Sequence, residues 1–253
     1  MNRYLKNLNK IEFIITYACT GKCKHCSEGE HTLCGEHIDS FYASRLIEEA
    51  VAKYDIKTVM TFGGEPLLYP DAVCDIHNTA SRLGIEKRQI ITNGYFSKSA
   101  EQINKVVTRL AECGVNDILL SVDAFHQETI PLDTVKAFAE SVQKRELPIR
   151  LQPAWLVDKN DSNPYNIATR KILDEFIGMG IKENDGNIIF PEGNALKNLG
   201  EYFMSVKVEN PYVENPADLR CLSVEPNGNL LDGNIYVKDV CKLLDNYAPY
   251  NKL

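Results

Sequence analysis

Three cysteines set the chemistry this chain could do. Cys19, Cys23 and Cys26 fall in the run Tyr17-Ala18-Cys19-Thr20-Gly21-Lys22-Cys23-Lys24-His25-Cys26, a C-x3-C-x2-C pattern directly after the first expected strand. Three thiolates on one loop can converge on a single metal centre, and thiolates suit iron–sulfur clusters or zinc. Gly21 and the small Thr20 permit the tight wrapping such a loop needs. A zinc site would recruit a fourth ligand from Cys34, His31 or His37, yet structural zinc motifs usually come as two separated ligand pairs. A thioredoxin-like pair of Cys23 with Cys26 would leave Cys19 without a part. Spacing alone favours the iron–sulfur cluster and leaves zinc next.

Further chemistry-bearing residues stand at the ends of later strands. The segment Thr61-Phe62-Gly63-Gly64-Glu65-Pro66 ends an apolar run in two glycines that allow a ligand close to the backbone, with a carboxylate beside them. Asn93-Gly94 is either a turn or a ligand-binding end, and Asp123 either lines a site or caps the next helix. Alternation in Ile149-Arg150-Leu151-Gln152-Pro153 places Arg150 and Gln152 on one face.

The cysteine run resembles the cluster loop of the radical S-adenosylmethionine (radical SAM) superfamily, in which three cysteines hold a [4Fe–4S] cluster and leave one iron open. His25 stands where that family usually carries an aromatic residue, and its ring can lie against the adenine. Gly63, Gly64 and Glu65 match the family's Gly-Gly-Glu-Pro motif one β/α unit later, which implies that they hold the methionine amino group of the cofactor. By the same resemblance Ser121 and Asp123 would bond the ribose, and Tyr17, Asn93 and Gln152 complete the expected cofactor pocket.

The resemblance implies a reaction class. A reduced cluster cleaves S-adenosylmethionine to a 5′-deoxyadenosyl radical that abstracts hydrogen from a substrate. Arg220-Cys221-Leu222-Ser223-Val224-Glu225-Pro226-Asn227-Gly228-Asn229 resembles a degenerate form of the extension found in peptide-modifying members. That favours a peptide or protein substrate over a small molecule. A glycyl-radical-enzyme activase is the alternative, and a non-catalytic iron–sulfur or zinc protein the alternative of another class. Only Cys241 follows Cys221, too few cysteines for the full extension. His126 and Cys221 are the candidate catalytic residues, and an electron donor such as flavodoxin or ferredoxin is implied. No role is assigned to Cys34, Cys74 or Cys113.

Elements of a particular kind must position these residues. Strands are expected at 11–16, 58–62, 89–92, 117–122, 149–153 and 187–190, and helices at 40–54, 71–83, 100–113, 134–145 and 169–177. Alternating β and α implies an α/β fold with a parallel sheet, and six units are too few to close a full barrel. The expectation is a partial (β/α)6 TIM-like barrel over 1–205, with 206–253 as a short C-terminal appendage acting as a cap. Hydrophobic residues at 44% and charged residues at 25% match an ordinary globular chain and exclude a disordered one. The net charge of 28 − 35 = −7 lacks the basic footprint nucleic acid needs. No apolar run approaches a membrane span, and the start lacks a signal peptide's apolar stretch, so a cytoplasmic protein with reduced cysteines is expected.

Overall fold

The structure is a computed structural model that describes residues 2–204 and 206–249. Its frame is a run of β/α units: β1 Lys10–Ile14, α1 Ser40–Val51, β2 Thr58–Phe62, α2 Pro70–Arg82, β3 Lys87–Thr92, α3 Ala100–Glu112 and β4 Asp117–Ser121. A short α4 (Ala124–Gln127), α5 (Leu132–Lys144) and β5 (Ile149–Gln152) follow. Local signals account for the helices. In α3, Ile103, Val106, Val107 and Leu110 recur at three-to-four spacing and are all buried, while the Ser99 side chain caps the helix by accepting from Gln102 N. Gly84 and Gly114 take left-handed φ values of +74° and +87° just past α2 and α3, where an L side chain would be strained.

The remaining elements are β6 Ala154–Trp155, α6 Pro164–Asp174, β7 Lys182–Glu183, β8 Asn187–Ile188, α7 Gly193–Phe203, β9 Cys221–Val224, β10 Asn229–Leu230, β11 Gly233–Asn234 and α8 Val240–Asn246. The main sheet has seven strands in the order β7-β5-β4-β3-β2-β1-β9, every pair parallel. No pairing joins β7 to β9 among the described residues, so the sheet is an open α/β arc rather than a closed barrel.

Several details differ from the sequence expectation, the unforeseen α4, α7, α8, β6, β10 and β11 among them. The strand expected at 187–190 pairs, as β8, with β6 in a separate ladder, and the place beside β5 is taken by Lys182–Glu183. The helix expected at 169–177 begins earlier, at Pro164, because the Asn163 side chain caps it by accepting from Asn166 N. The C-terminal segment adds a strand: Cys221–Val224 pairs in parallel with β1, Lys10 opposite Cys221.

Alternation divides the sheet into two faces. Outward residues such as Phe13, Val59, Ile90, Ile118 and Leu120 are buried in the main apolar core, along with the inner faces of α1, α2, α3 and α5. The opposite, concave face is left to line a cavity of about 790 Å³. No helix among the described residues is long and apolar enough to cross a membrane.

Candidate active site

The cysteine loop is seated on two neighbours. Gly64 N donates to Thr16 O at 2.8 Å and Glu65 N to Ala18 O at 2.8 Å, so the Gly63-Gly64 turn lies against the backbone entering Cys19. A Cβ on Gly64 would stand 2.1 Å from Ala18 O, and one on Gly63, at φ +137°, would stand 2.5 Å from Thr16 O. Only glycine permits that approach. From the other side, Asn194 at the start of α7 donates its N–H to Cys26 O at 2.8 Å and its amide Nδ2 to Gly29 O at 2.9 Å. Sequence reasoning missed this clamp, because nothing local to Asn194 points to a loop 168 residues earlier.

The thiols gather around Gly21. A Cβ there would meet Cys23 Sγ at 3.2 Å and Cys19 Sγ at 3.7 Å, so both sulfurs flank one glycine. Gly21 N and Asn93 Nδ2 donate to Cys19 Sγ at 3.3 and 3.6 Å, while Cys26 Sγ lies 3.0 Å from His31 Nε2. Burial, with Glu65 nearby, pushes the Cys19 thiol up to about 12, and burial raises Cys23 and Cys26 as well. Unligated, these sulfurs keep their protons. A bound metal displaces them, as thiolate ligation requires.

The cysteines and both glycines line the cavity, and so do His25, Asn93, Ser121, His126 and Gln152. His25 is driven down to about 4 by burial and stays neutral, and its Nδ1 has no hydrogen-bond partner. Its ring centroid is 4.8 Å from that of His126, and ligand atoms of Cys23, His25 and His126 lie within 4.8 Å of one another. Gln152 is held by Asn184 and Asn187, at 2.6 and 3.0 Å.

Four expected site residues do not line the cavity. Glu65 is fully buried: Oε1 accepts from Leu67 N at 2.9 Å and Thr92 Oγ1 at 2.7 Å, and Oε2 accepts from Asn93 N at 2.8 Å. The carboxylate ties the glycine turn to the end of β3, with burial raising it to about 7. Asp123 is also fully buried and caps α4, accepting from Phe125 N and His126 N, while Oδ2 takes Ala154 N at 3.0 Å and His126 Nδ1 at 2.8 Å. Burial alone would raise its carboxyl, but His126 outweighs that and it sits at about 2. Tyr17 is 40% exposed, and its carbonyl accepts from His31 Nδ1 at 2.6 Å.

Cys221 sits low on β9 beside Lys10, its thiol raised by burial and by Glu12. Cys241 instead donates to Glu49 Oε2 at 2.7 Å, and no partner common to Cys221 and Cys241 occurs among the described residues. Cys34 is exposed, and Cys74 and Cys113 are buried on α2 and after α3.

Comparison with known proteins decides the family. The model of the radical SAM superfamily matches residues 13–146, which is 134 of the 253 residues. This chain belongs to the radical SAM superfamily. Among curated radical SAM relatives, a GTP 3′,8-cyclase of Vibrio vulnificus (strain YJ016) is 30% identical over 136 residues, covering 51% of this chain and 39% of that protein. A probable GTP 3′,8-cyclase of Saccharolobus solfataricus is 24% identical over 83% of this chain and 69% of that one. The chain thus spans about two fifths of the Vibrio protein's length.

The fold is similar to that of Streptococcus suis SuiB bound to S-adenosylmethionine, with TM-score 0.62 and 16% identity over 96% of this chain and 67% of that one. It also resembles anSMEcpe with bound AdoMet, with TM-score 0.56 and 14% identity over 92% of this chain and 76% of that one. As a radical SAM enzyme, the chain uses a [4Fe–4S] cluster and S-adenosylmethionine. Its residues fit them: three free thiols line one cavity, and His25, whose buried Nδ1 has no hydrogen-bond partner, lines it too.

Proposed function

We propose that this radical SAM enzyme abstracts hydrogen from a peptide or protein segment whose target carbon enters the cavity beneath the cysteine loop. One observation carries the reading: the three cysteines, Gly63-Gly64 and the polar ends of β3, β4 and β5 line a single cavity. When bound there, the cluster and S-adenosylmethionine supply a one-electron reductive cleavage that yields a hydrogen-abstracting radical. The chain's own part is placement. Cys19, Cys23 and Cys26 hold the cluster. Gly63 and Gly64 let the turn pack against the backbone leading into Cys19 and line the cavity, and the Ser121, Asn93 and Gln152 side chains offer hydrogen bonds at the strand ends. The His25 ring, neutral and partly unsatisfied, suits an adenine edge. His126 is oriented through Nδ1 by Asp123, leaving Nε2 to hold or pass a proton.

The peptide reading draws support from β9. Beyond its pairing with β1 this strand ends the sheet, and its Ser223 lines the cavity, so an extended segment could add to that edge. The names of the curated relatives favour a second reading, a nucleotide substrate. The test uses anaerobically reconstituted protein with S-adenosylmethionine and a reductant, either flavodoxin or ferredoxin, and measures 5′-deoxyadenosine. A random peptide pool should raise its formation above the substrate-free level, and GTP should not. Stimulation by GTP alone would replace the first reading with the second. Protein that takes up zinc but little iron would end both.

A further inference from the structure

The concave face below the cofactor level is layered in a way the radical chemistry does not require. Register places Ile14, Phe62, Ile91 and Leu119 side by side across β1 to β4, with Ser121 and Gln152 one step above them. One step below come Glu12, Met60, Gln89 and Asp117, and below those Lys10 and Lys87. Asp117 and Ser121 are four residues apart on one strand, so the lower layer lies about 13 Å from the strand ends.

That lower layer is rich in donors and poor in acceptors. Asp117 receives Arg150 through Nε and Nη2, at 2.7–3.3 Å, Lys87 Nζ at 3.3 Å and Gln89 Nε2 at 2.6 Å. Two cations and an amide therefore share one carboxylate, and Arg150 Nη1 has no hydrogen-bond partner among the described residues. The neighbouring Lys10–Glu12 pair, at 2.8 Å, is balanced within itself. Arg150 and Lys87 both line the cavity, and their side chains remain 34% and 46% exposed. Arg150 stands opposite Leu119 in the register and its guanidinium reaches down to Asp117, so around that one carboxylate the positive charges outnumber the negative by one, at the level below the apolar row.

We infer that Arg150 and Lys87 form a second binding site, which receives the carboxylate or phosphate of a substrate whose apolar stem lies along Ile14, Phe62, Ile91 and Leu119. A planar guanidinium with a free Nη1 beside an ammonium matches either oxyanion. The stem spans the layer up to Ser121 and places the target carbon near the cysteine loop. Calling this occupant a substrate rests on the function proposed above; its binding does not.

The test titrates octanoate, octyl phosphate and octanol calorimetrically into the reconstituted protein, with iron content and S-adenosylmethionine binding measured on the same samples. At least one of the two anions should bind saturably and at least tenfold more tightly than octanol, and the tighter of them identifies carboxylate or phosphate as the group recognised. Lys87→Met, which leaves the Arg150–Asp117 pair in place, should weaken that anion at least fivefold. Asp117→Asn, which removes the competing negative charge, should tighten it. Equal affinity for octanol, no binding of either anion, or no change in Lys87→Met would overturn the inference. Anion binding by protein that cannot hold iron would count against the proposed function and leave this site standing.

Discussion

Replacing Glu65 with Ala should destabilise the apoprotein before any cofactor is involved. The carboxylate is fully buried and accepts from Leu67 N, Thr92 Oγ1 and Asn93 N. The Thr92 hydroxyl can rotate towards another acceptor, but the two backbone N–H groups are fixed by the chain. A buried donor left unsatisfied costs about 1–3 kcal/mol, so the two together cost roughly 2–6 kcal/mol. For a chain of this size each kcal/mol lowers Tm by roughly 2–4 °C, so the variant should melt at least ~4 °C below the parent. The assay is thermal unfolding of cluster-free protein followed by circular dichroism, with no S-adenosylmethionine present. Glu65→Gln, which keeps one acceptor oxygen, should fall between the two. The reasoning fails if the apoprotein of Glu65→Ala melts like the parent while its reconstituted form loses cofactor affinity. That pattern would mean that Glu65 faces the cofactor rather than pinning the turn.

Other perturbations probe the same architecture. Ala at Cys19, Cys23 or Cys26 should each abolish retention of the roughly four irons of a cubane cluster, read by iron analysis after anaerobic reconstitution. Gly64→Ala should also lower iron content, because its Cβ would meet Ala18 O at 2.1 Å and displace the backbone leading into Cys19. A double Cys221→Ser, Cys241→Ser variant should keep the parent's iron content, since these thiols bond different partners; loss of about four irons would establish an auxiliary cluster. His77 is buried against Thr61 and held neutral, its value lowered by burial from 6.5 to about 3. Between those values the unfolded chain binds the proton and the folded chain does not, so stability falls as pH drops from 6.5 toward 3. His77→Gln should lose less stability than the parent between pH 7 and pH 4.5, as measured by urea midpoints.

What could be read from the sequence was whatever depends on near neighbours along the chain. The spacing of Cys19, Cys23 and Cys26 puts three sulfurs on one short loop whatever the surrounding fold. The periodicity of Ile103, Val106, Val107 and Leu110 marks a helix face, because 3.6 residues per turn is a local property. Gly63-Gly64 marked a close approach to the backbone, expected of a ligand, whereas the loop before Cys19 takes that place. Tertiary structure decided which partners met. Short runs at Lys182–Glu183 and Asn187–Ile188 carry too few residues to choose a sheet, and β5 and β6 divided them. Cys221–Val224 became the seventh strand only because β1 offered an open edge. Glu65 and Asp123 stand where a ligand-binding carboxylate would, yet both turn inward. A buried carboxylate must satisfy its oxygens, and the nearest N–H donors came from β3, α4 and Ala154. The gathering of Lys87 and Arg150 on Asp117 follows the same rule across residues 30 and 33 positions away, a convergence that strand register creates and no local pattern encodes.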